Sequence, residues 1–541
     1  MGVLWHAGVA PVDDPSERSS AEASQHQIPS RFNDGVACYI NAAAQAVKRK
    51  ERDGPATLNL SNTRSEARAK NTLLVAAHDR DTESIGVALG PRLMLSMNYF
   101  ARYCLALCAL FAVPSIVRAG NAPDCHIGSY RLADASLVDI APSDDDTLRW
   151  RQFDGATGAL HQGANGIWKS TYGWTDRADG IAVSFSACSK GQISFGGVSG
   201  QRTALDVEEV TFKSHGTALA GRLVMPPGKE QVPIVVLLHG AEHDSALTDY
   251  FLQRMLPAEG VGAFVYDKRG TGKSGGHYTQ DYSLLADDAV AALRKARQLA
   301  GARLGRIGYQ AGSQGGWVAP IAANRASLDF VIVCFGLAIN VIDEDQEGVE
   351  LQMREKGYPP EVIAKALEVA SAAEAVFESD FKSGFPKLDE MRAKYGSAPW
   401  YKDVHGDYAF FVLQHSDAEL RARAPEFDWH TPFHYDPMPT LRADEVPQLW
   451  ILGGKDYESP SAETSRRIKS LMGDGLPFTL AYYPGAEHGM TLFETGADGS
   501  RISTRYTSGY FRMIRDFARD GKLHGSYGDA EVTTPSLRNR D

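Results

Sequence analysis

The sequence has no excess of positive charge and no apolar run long enough to cross a membrane comfortably. Its 541 residues include 56 Lys and Arg against 67 Asp and Glu, a formal net charge of −11. Because no Lys- or Arg-rich face stands out to neutralise phosphates, we expect no nucleic acid as a partner. The apolar stretch at residues 103–117 is broken by Pro114 and is shorter than the roughly 20 residues of a transmembrane helix.

Metal-binding motifs are also missing. The sequence contains no HExxH motif and no Cys/His spacing of the zinc-site kind. Four residues with ligand chemistry gather on one loop without helical register: His239, Glu242, His243 and Asp244. Because such a loop lacks the regular spacing of a metal site, we expect no metal, and nothing in the sequence calls for an organic cofactor.

One segment imitates a phosphate-binding loop. Gly272-Lys273-Ser274 follows a strand-like run at residues 263–266. A P-loop requires a second glycine upstream, at the position that holds Asp267. The spacing therefore argues against nucleotide binding.

The most informative segment is Ala311-Gly312-Ser313-Gln314-Gly315-Gly316. It follows a strand-like run at 304–309 and precedes a helix-like run at 317–324. A serine at a tight strand-to-helix turn needs small neighbours because its backbone is strained there. Ala311 replaces the first glycine of the G-x-S-x-G pattern and is small enough for the turn. The segment predicts Ser313 as a nucleophile, with an ordinary solvated Gly-Ser turn as the alternative.

A candidate acid and a candidate base follow two later strand-like runs. The run at 448–452 leads to Asp456, and the run at 478–483 leads to His488. The chain order Ser313, Asp456, His488 is that of the hydrolase triad, in which the acid and the histidine lie on loops after strands. We therefore predict these three residues as catalytic.

Other interpretations of these positions remain open. His488 could be a histidine of a surface loop, and Asp456 could serve only to form a turn. If Asp456 is not the acid, Glu458 is the nearest substitute and Asp436 a more remote one.

An oxyanion-binding turn is predicted upstream. The continuous apolar run at 232–238 is typical of a buried parallel strand, and it ends in His239-Gly240-Ala241. The backbone N–H of Ala241 and that of Gln314, the residue after the nucleophile, are the predicted oxyanion donors. His239 is interpreted as a structural residue of the turn rather than a base.

Together these motifs resemble the α/β-hydrolase superfamily, in particular bacterial serine esterases near the dienelactone hydrolase and prolyl-peptidase-like branches. The resemblance covers residues from about 205 to 520. It implies an α/β fold with a mostly parallel, doubly wound sheet, in which Asp267 to Ser274 would form a structural turn after the fourth strand. The segments that carry it are His239-Gly240-Ala241, Asp267 to Ser274, Ala311 to Gly316, Tyr435-Asp436-Pro437 leading into Val446-Pro447, Gly454-Lys455-Asp456 and Glu487-His488-Gly489.

The predicted catalytic domain, residues 205–522, contains an insertion. After the strand-like run at 330–335, about 110 residues precede Val446, which is far more than a direct crossover needs. We interpret residues 338–440 as a helical cap over the active site, with a decoration away from the site as the alternative. The tail, residues 523–541, is expected to be disordered.

The N-terminal region divides into three parts. Residues 1–93 are interpreted as a disordered extension or a mis-annotated start, because residues 94–119 have the basic start, apolar stretch and V-x-A ending of a signal peptide. Translation would then start at Met94 or Met97 and the protein would be periplasmic or secreted, without stable membrane insertion after signal removal. The alternative is an internal buried helix or a single membrane anchor. Cys104 and Cys108 lack a convincing lipobox.

Residues 120–204 predict a small all-β domain, because short alternating runs are separated by turn signals. Cys125 and Cys188 bracket this segment. They could form a disulfide in an oxidising compartment or remain two reduced core cysteines. Trp150, Trp168 and Trp174 are interpreted as core residues, with a ligand-stacking face as the alternative.

The predicted activity is hydrolysis of a small-molecule carboxylic ester through an acyl-enzyme on Ser313. Two other functions are carried forward. One is a serine peptidase or amidase, although the propeller that often accompanies such peptidases would not fit in the segment before the sheet. The other is a catalytically inert α/β-hydrolase that serves as a binding module.

Overall fold

The computed structural model describes residues 123–143 and 147–535, which form an eight-stranded barrel followed by a nine-stranded sheet with its helices. The predictions made for residues 1–119 fall outside this part of the chain. Within it, no helix combines the length and the apolar character needed to cross a membrane.

The barrel is antiparallel and closes where its first strand pairs with its last. Trp150 and Trp168 are buried in its interior, as expected for core residues, and the indole of Trp150 donates to Ser170. Trp174 lies outside that interior, half-buried beneath the guanidinium of Arg149. The strands are β1 (Gly128–Leu132), β2 (Leu137–Pro142), β3 (Leu148–Gln152), β4 (Thr157–Gln162), β5 (Trp168–Tyr172), β6 (Ala178–Phe185), β7 (Gln192–Phe195) and β8 (Val198–Arg202).

A disulfide joins Cys125 to Cys188. It ties the segment that precedes β1 to the turn between β6 and β7. Of the two states that the sequence left open for these cysteines, the structure has the bonded one.

The nine-stranded sheet has a parallel centre and antiparallel edges. In the order β12, β11, β13, β14, β15, β16 the neighbouring strands run parallel, while β9 and β10 at one edge and β19 at the other are antiparallel to their neighbours. The carboxyl ends of the parallel strands therefore meet at one edge. The strands are β9 (Asp206–Ser214), β10 (Thr217–Met225), β11 (Val232–Leu238), β12 (Gly262–Tyr266), β13 (Leu304–Gly312), β14 (Phe330–Cys334), β15 (Gln448–Gly453), β16 (Phe478–Tyr483) and β19 (Glu531–Thr533). A separate hairpin consists of β17 (Thr491–Thr495) and β18 (Arg501–Tyr506).

Helices cover both faces of this sheet. On one face, α1 (Ala246–Asp249), α2 (Leu252–Ala258) and α12 (Tyr510–Asp520) share a core with one set of strand side chains. On the other, α3 (Tyr282–Ala300), α4 (Gly315–Ala323) and α11 (Ser461–Gly473) pack against the opposite set. Alternate strand residues serve the two cores: Val235 and Leu237 face the first, and Ile234 and Val236 face the second.

Six helices lie between β14 and β15, where the sequence predicts the insertion. Their shared core contains an aromatic cluster around Phe377, which contacts the rings of Phe381, Tyr408 and Phe427. The first helix begins at Val341, where the Asn340 side chain caps it by accepting the N–H of Asp343. The helices are α5 (Val341–Glu355), α6 (Pro360–Glu378), α7 (Phe385–Tyr395), α8 (Asp407–Leu413), α9 (Asp417–Arg423) and α10 (Met438–Ala443).

The tail differs from the disorder expected for residues 523–541. Tyr527 is fully buried and donates a hydrogen bond to Asp516, and β19 pairs with β16 at the sheet edge. A strand of three residues is too short for a periodic pattern, so its pairing is visible only in the folded sheet. Residues 536–541 lie outside the described part of the chain.

The barrel is attached to the sheet domain through α2 and through the β17–β18 hairpin, among other contacts. Arg254 on α2 donates two hydrogen bonds, of 2.9 and 2.8 Å, to the buried carboxylate of Asp139 on β2. The backbone N–H of Trp174 donates to Ser503, and that of Tyr506 donates to Gly155. The second attachment involves the β17–β18 hairpin, which directly follows His488.

Candidate active site

Ser313 lies in the turn between β13 and α4, at the carboxyl edge of the parallel strands. Its φ of 50° is in the left-handed region that residues with a side chain seldom adopt. Its N–H donates to the carbonyl of Cys334, and its carbonyl accepts from Gly316. The backbone is therefore fixed in a strained conformation on both sides of the hydroxyl, as a nucleophile turn requires.

The small residues around Ser313 are required by close contacts. A Cβ at Gly315 would lie 3.0 Å from the Cβ of Ala311, and one at Gly316 would lie 3.0 Å from the Cα of Gly336. Ala311 is fully buried in this contact. Alanine is therefore accepted at the first position of the motif as long as the last position remains glycine.

His488 and Asp456 meet at the same edge. Nδ1 of His488 lies 3.1 Å from both carboxylate oxygens of Asp456. Asp456 has no exposed surface and also accepts the N–H groups of Glu458 and Ser459, which shape its turn. This pairing makes Nδ1 the protonated nitrogen and directs Nε2 away from Asp456, as in a triad.

A second carboxylate lies beside the other nitrogen of His488. Oε2 of Glu458 is 3.6 Å from Nε2, while the described residues contain no hydrogen bond between His488 and the Ser313 hydroxyl. Nucleophile–base contacts are often long without substrate. Burial lowers the pKa of His488, but the charges of Glu458 and Asp456 outweigh burial and raise it to about 10.

Two acids of the insertion also belong to this environment. Burial, then the charge of Asp407, raises the pKa of Glu344 on α5. Burial, then the charge of Glu458, raises the pKa of Asp407 on α8.

The helix α5 packs on the loop that carries Asp456, since a Cβ at Gly348 would lie 2.9 Å from the carbonyl oxygen of Tyr457. It also contacts α8, because Asp345 on α5 accepts the N–H groups of Tyr408 and Ala409.

The predicted oxyanion donors have no hydrogen-bond partner in the described part of the chain. In residues 123–143 and 147–535, neither the N–H of Ala241 nor that of Gln314 donates a hydrogen bond to another residue. Gly240 packs on the nucleophile, since a Cβ there would lie 3.2 Å from the Cβ of Ser313. The side chain of Gln314 is buried, and neither of its polar atoms has a partner. The turn therefore offers unused donors next to Ser313.

His239 has the structural position expected for it. Its Nε2 accepts the N–H of Lys268 at 2.9 Å, which leaves the proton on Nδ1, 3.4 Å from Glu242. Burial lowers the pKa of His239 and favours its neutral form. Of the other residues considered as metal ligands, His243 stacks on the ring of Tyr278. Nε2 of His239 is therefore occupied by the turn and is not available as a base.

The segment from Asp267 to Ser274 forms a structural turn. Asp267 accepts hydrogen bonds from Ser245 and from the backbone of Leu247 and Lys273. A Cβ at Gly272 would lie 2.1 Å from the Asp267 carboxylate, so only glycine fits there. The segment is thus filled by its own carboxylate and leaves no cradle for a phosphate.

The structure separates Asp436 from the candidate site and brings Phe335 to it. Asp436, the remote substitute acid, is exposed and contacts the backbone of Met438 and not His488. Phe335, which follows β14, was not considered; its ring contacts that of His488 at 4.8 Å and packs over Gly312. Its place after a parallel strand was the signal that could have found it.

One protein-family model matches the part of the chain that contains the predicted oxyanion turn and Ser313. Residues 229–357, from before β11 to the end of α5, match the family model of serine aminopeptidases, S33. No curated protein matches the sequence. The sheet order and the strained serine are those of an α/β-hydrolase fold.

Solved structures with a detectable likeness are distant. An esterase of Pyrococcus furiosus is 16% identical, with a TM-score of 0.34, over 52% of this chain and 84% of its own. An acylaminoacyl peptidase of Pyrococcus horikoshii is 13% identical, with a TM-score of 0.36, over 72% of this chain and 57% of its own. A hypothetical protein of Pseudomonas aeruginosa is 18% identical, with a TM-score of 0.34, over 59% and 94%. Likeness at this level carries no information on substrate.

Proposed function

We propose that the protein hydrolyses carboxylic esters by acyl transfer through Ser313. The observation that carries the proposal is the pairing of His488 with Asp456 at the sheet edge that presents the strained Ser313. Nothing in this arrangement requires a peptide as substrate. A small-molecule ester is the simplest compound on which it can act.

The residues divide the reaction between them. His488 removes the Ser313 proton through Nε2 as the hydroxyl attacks the acyl carbonyl. The resulting oxyanion accepts hydrogen bonds from the N–H groups of Ala241 and Gln314. His488 then gives the proton to the leaving alcohol, and water releases the acid from Ser313 by the same base. Asp456 holds the imidazole in the required tautomer and stabilises its charged form.

A second candidate function is cleavage of amides or peptides that carry a positive charge. The observation that favours it is the group of acids near His488, namely Glu344, Asp407 and Glu458, whose pKa values burial raises. A substrate ammonium beside these carboxyl groups would lower their pKa values and pair with the carboxylates. The matched family model, described as serine aminopeptidases, is compatible with this candidate.

Labelling with a fluorophosphonate, together with turnover of p-nitrophenyl esters of increasing chain length and of aminoacyl p-nitroanilides, tests the proposal. We expect Ser313→Ala to lose labelling and to lower turnover by several orders of magnitude. Ser470→Ala, an exposed serine on α11, is the matched control and should behave as wild type. Labelling with turnover of anilides alone favours the second candidate, and a folded protein that neither labels nor turns over is the inert binding module.

We also propose that the protein is exported. The Cys125–Cys188 disulfide supports this, since such bonds persist mainly in oxidising compartments. The periplasm or the medium would then contain a chain that begins after the segment 94–119. Sequencing the N-terminus of the native exported protein tests it, and a mature N-terminus upstream of Met94 would contradict it.

A further inference from the structure

We propose that Lys268 is a positioning residue that orients and polarises the peptide group supplying the Ala241 N–H to the oxyanion. The inference rests on the proposed acyl transfer at Ser313. It assigns a role to a side chain in a turn that is otherwise structural.

The geometry links Lys268 directly to the oxyanion turn. Its Nζ donates a hydrogen bond of 2.7 Å to the carbonyl of Gly240, and both groups are buried. The Gly240 carbonyl and the Ala241 N–H belong to the same peptide unit. Because a trans peptide is planar, its C=O and N–H point in opposite directions. Fixing the carbonyl on Lys268 therefore fixes the direction of the Ala241 N–H.

The charge of Lys268 adds polarisation to orientation. A hydrogen bond from an ammonium to a carbonyl is charge-assisted and stronger than a neutral one. Drawing electron density towards the Gly240 oxygen makes the Ala241 N–H a better donor to a developing oxyanion. A neutral side chain of similar length would fill the space without this effect.

The surroundings keep this ammonium in place. It lies 4.6 Å from the centre of the Tyr278 ring, a cation–π contact. Burial raises the pKa of Glu242, but the polar groups around it, among them the Tyr250 hydroxyl, and the charge of Lys268 outweigh burial and lower it. Glu242 is therefore an anion beside the turn.

Further contacts tie the same two turns together. The backbone N–H of Lys268 donates to Nε2 of His239, and the hydroxyl of Tyr278 donates to the carbonyl of Ala241 at 2.5 Å. The peptide units on both sides of Ala241 are thus each held at their carbonyl oxygen, one by Lys268 and the other by Tyr278. Within the turn, the Arg269 side chain instead pairs with Asp288, away from Gly240.

Kinetics of Lys268→Met against Lys273→Met tests the inference. Lys273 is the exposed lysine of the same turn, so its variant should match wild type. For Lys268→Met we expect kcat to fall by about 10- to 100-fold, somewhat less than complete loss of an oxyanion donor. KM should change little, and the affinity for an alkylboronic acid, whose tetrahedral adduct mimics the oxyanion, should fall in parallel with kcat. Lys268→Arg, which keeps the charge, should recover part of the loss.

Other outcomes overturn the inference or the activity on which it rests. Wild-type kcat and boronate affinity in Lys268→Met, or a rise in KM with unchanged boronate affinity, would overturn the positioning role. If Lys268→Met does not fold, Lys268→Gln, which removes the charge but keeps a hydrogen-bond donor, takes its place. A smaller parallel fall of kcat and boronate affinity is expected, and no change in either would overturn the inference. Full activity in Ser313→Ala would instead refute the proposed acyl transfer, whatever the Lys268 variants do.

Discussion

Buried carboxyl groups have opposite surroundings in the barrel and at the carboxyl edge of the sheet. In the barrel, Asp139 has no exposed surface and accepts hydrogen bonds from Arg254 and Ser129. At the carboxyl edge of the sheet, Glu344 and Glu458 are buried too, but neither forms a salt bridge with Lys or Arg in the part of the chain that the structure describes. Burial raises the pKa of both.

This difference separates stability from chemistry. Removing the cation that pairs with a buried carboxylate is strongly destabilising, because an uncompensated charge is left buried. Buried carboxyl groups that have no Lys or Arg partner cost free energy, and such groups are typical of sites that bind or react. Substitutions at the sheet edge should therefore change turnover, whereas substitutions in the barrel should change stability.

The largest effect is expected for Asp456→Asn. Asparagine can still accept the two backbone N–H groups of the turn, but it no longer stabilises the imidazolium or its tautomer. We expect kcat to fall by about 10⁴-fold, with little change in the thermal unfolding temperature. Asp436→Asn, at the exposed acid, should retain full activity. Substantial turnover in Asp456→Asn would indicate that Glu458 acts as the acid.

In the barrel, Arg254→Met should act on stability instead. Leaving the Asp139 carboxylate buried without its partner should lower the free energy of unfolding by about 3–5 kcal/mol, measured by denaturant titration. Turnover well below the unfolding temperature should be unchanged. Arg519→Met, at an exposed arginine of α12, is the control and should leave both quantities unchanged.

A fall of kcat in folded Arg254→Met would contradict the expectation that substitutions in the barrel change stability alone. It would mean that the barrel positions His488, and the structure offers a route for this. The hairpin that follows His488 receives one backbone hydrogen bond from the barrel and donates another to it.

Replacing Cys125 and Cys188 together by serine should also lower stability alone. The bond joins positions separated by 63 residues, and loss of such a cross-link typically costs about 2–4 kcal/mol. Reductant should destabilise wild type and leave the double variant unaffected. Unfolding of both proteins with and without reductant measures the difference, and equal stabilities would show that the bond does not constrain the unfolded chain.

The sequence predicts those features of the candidate site that depend on local patterns. The positions of Ser313, Asp456 and His488 at the carboxyl edge of the sheet could be predicted, because each follows an apolar strand run and parallel strands end at one edge. The runs at 232–238 and 478–483 coincide with β11 and β16. Local patterns of this kind need no knowledge of distant contacts.

The remaining features of the site depend on contacts between distant segments. Glu344 and Asp407 belong to α5 and α8, whose approach to the site is set by packing within a six-helix insertion. Lys268 could be assigned only to a structural turn, since its bond to Gly240 joins residues 28 positions apart. No spacing rule links such residues, so the acids and the lysine emerge only from the folded structure.

The smallest expected effect is a shift in pH dependence caused by Glu458→Gln. His488 must be neutral to accept the Ser313 proton, and burial favours that form. The charges of Glu458 and Asp456 oppose burial and raise its pKa to about 10, so wild-type kcat/KM should still rise with pH in the alkaline range. Removing the Glu458 charge lowers the pKa of His488, and the acid limb of the kcat/KM profile should therefore move to lower pH.

Glu458→Asp keeps the charge and Asp139→Asn changes a carboxylate in the barrel, so both should leave the limb near its wild-type position. A limb that stays in place in Glu458→Gln would show that Glu458 carries no charge beside Nε2. A limb that moves to higher pH would show that Glu458 does not raise the pKa of His488.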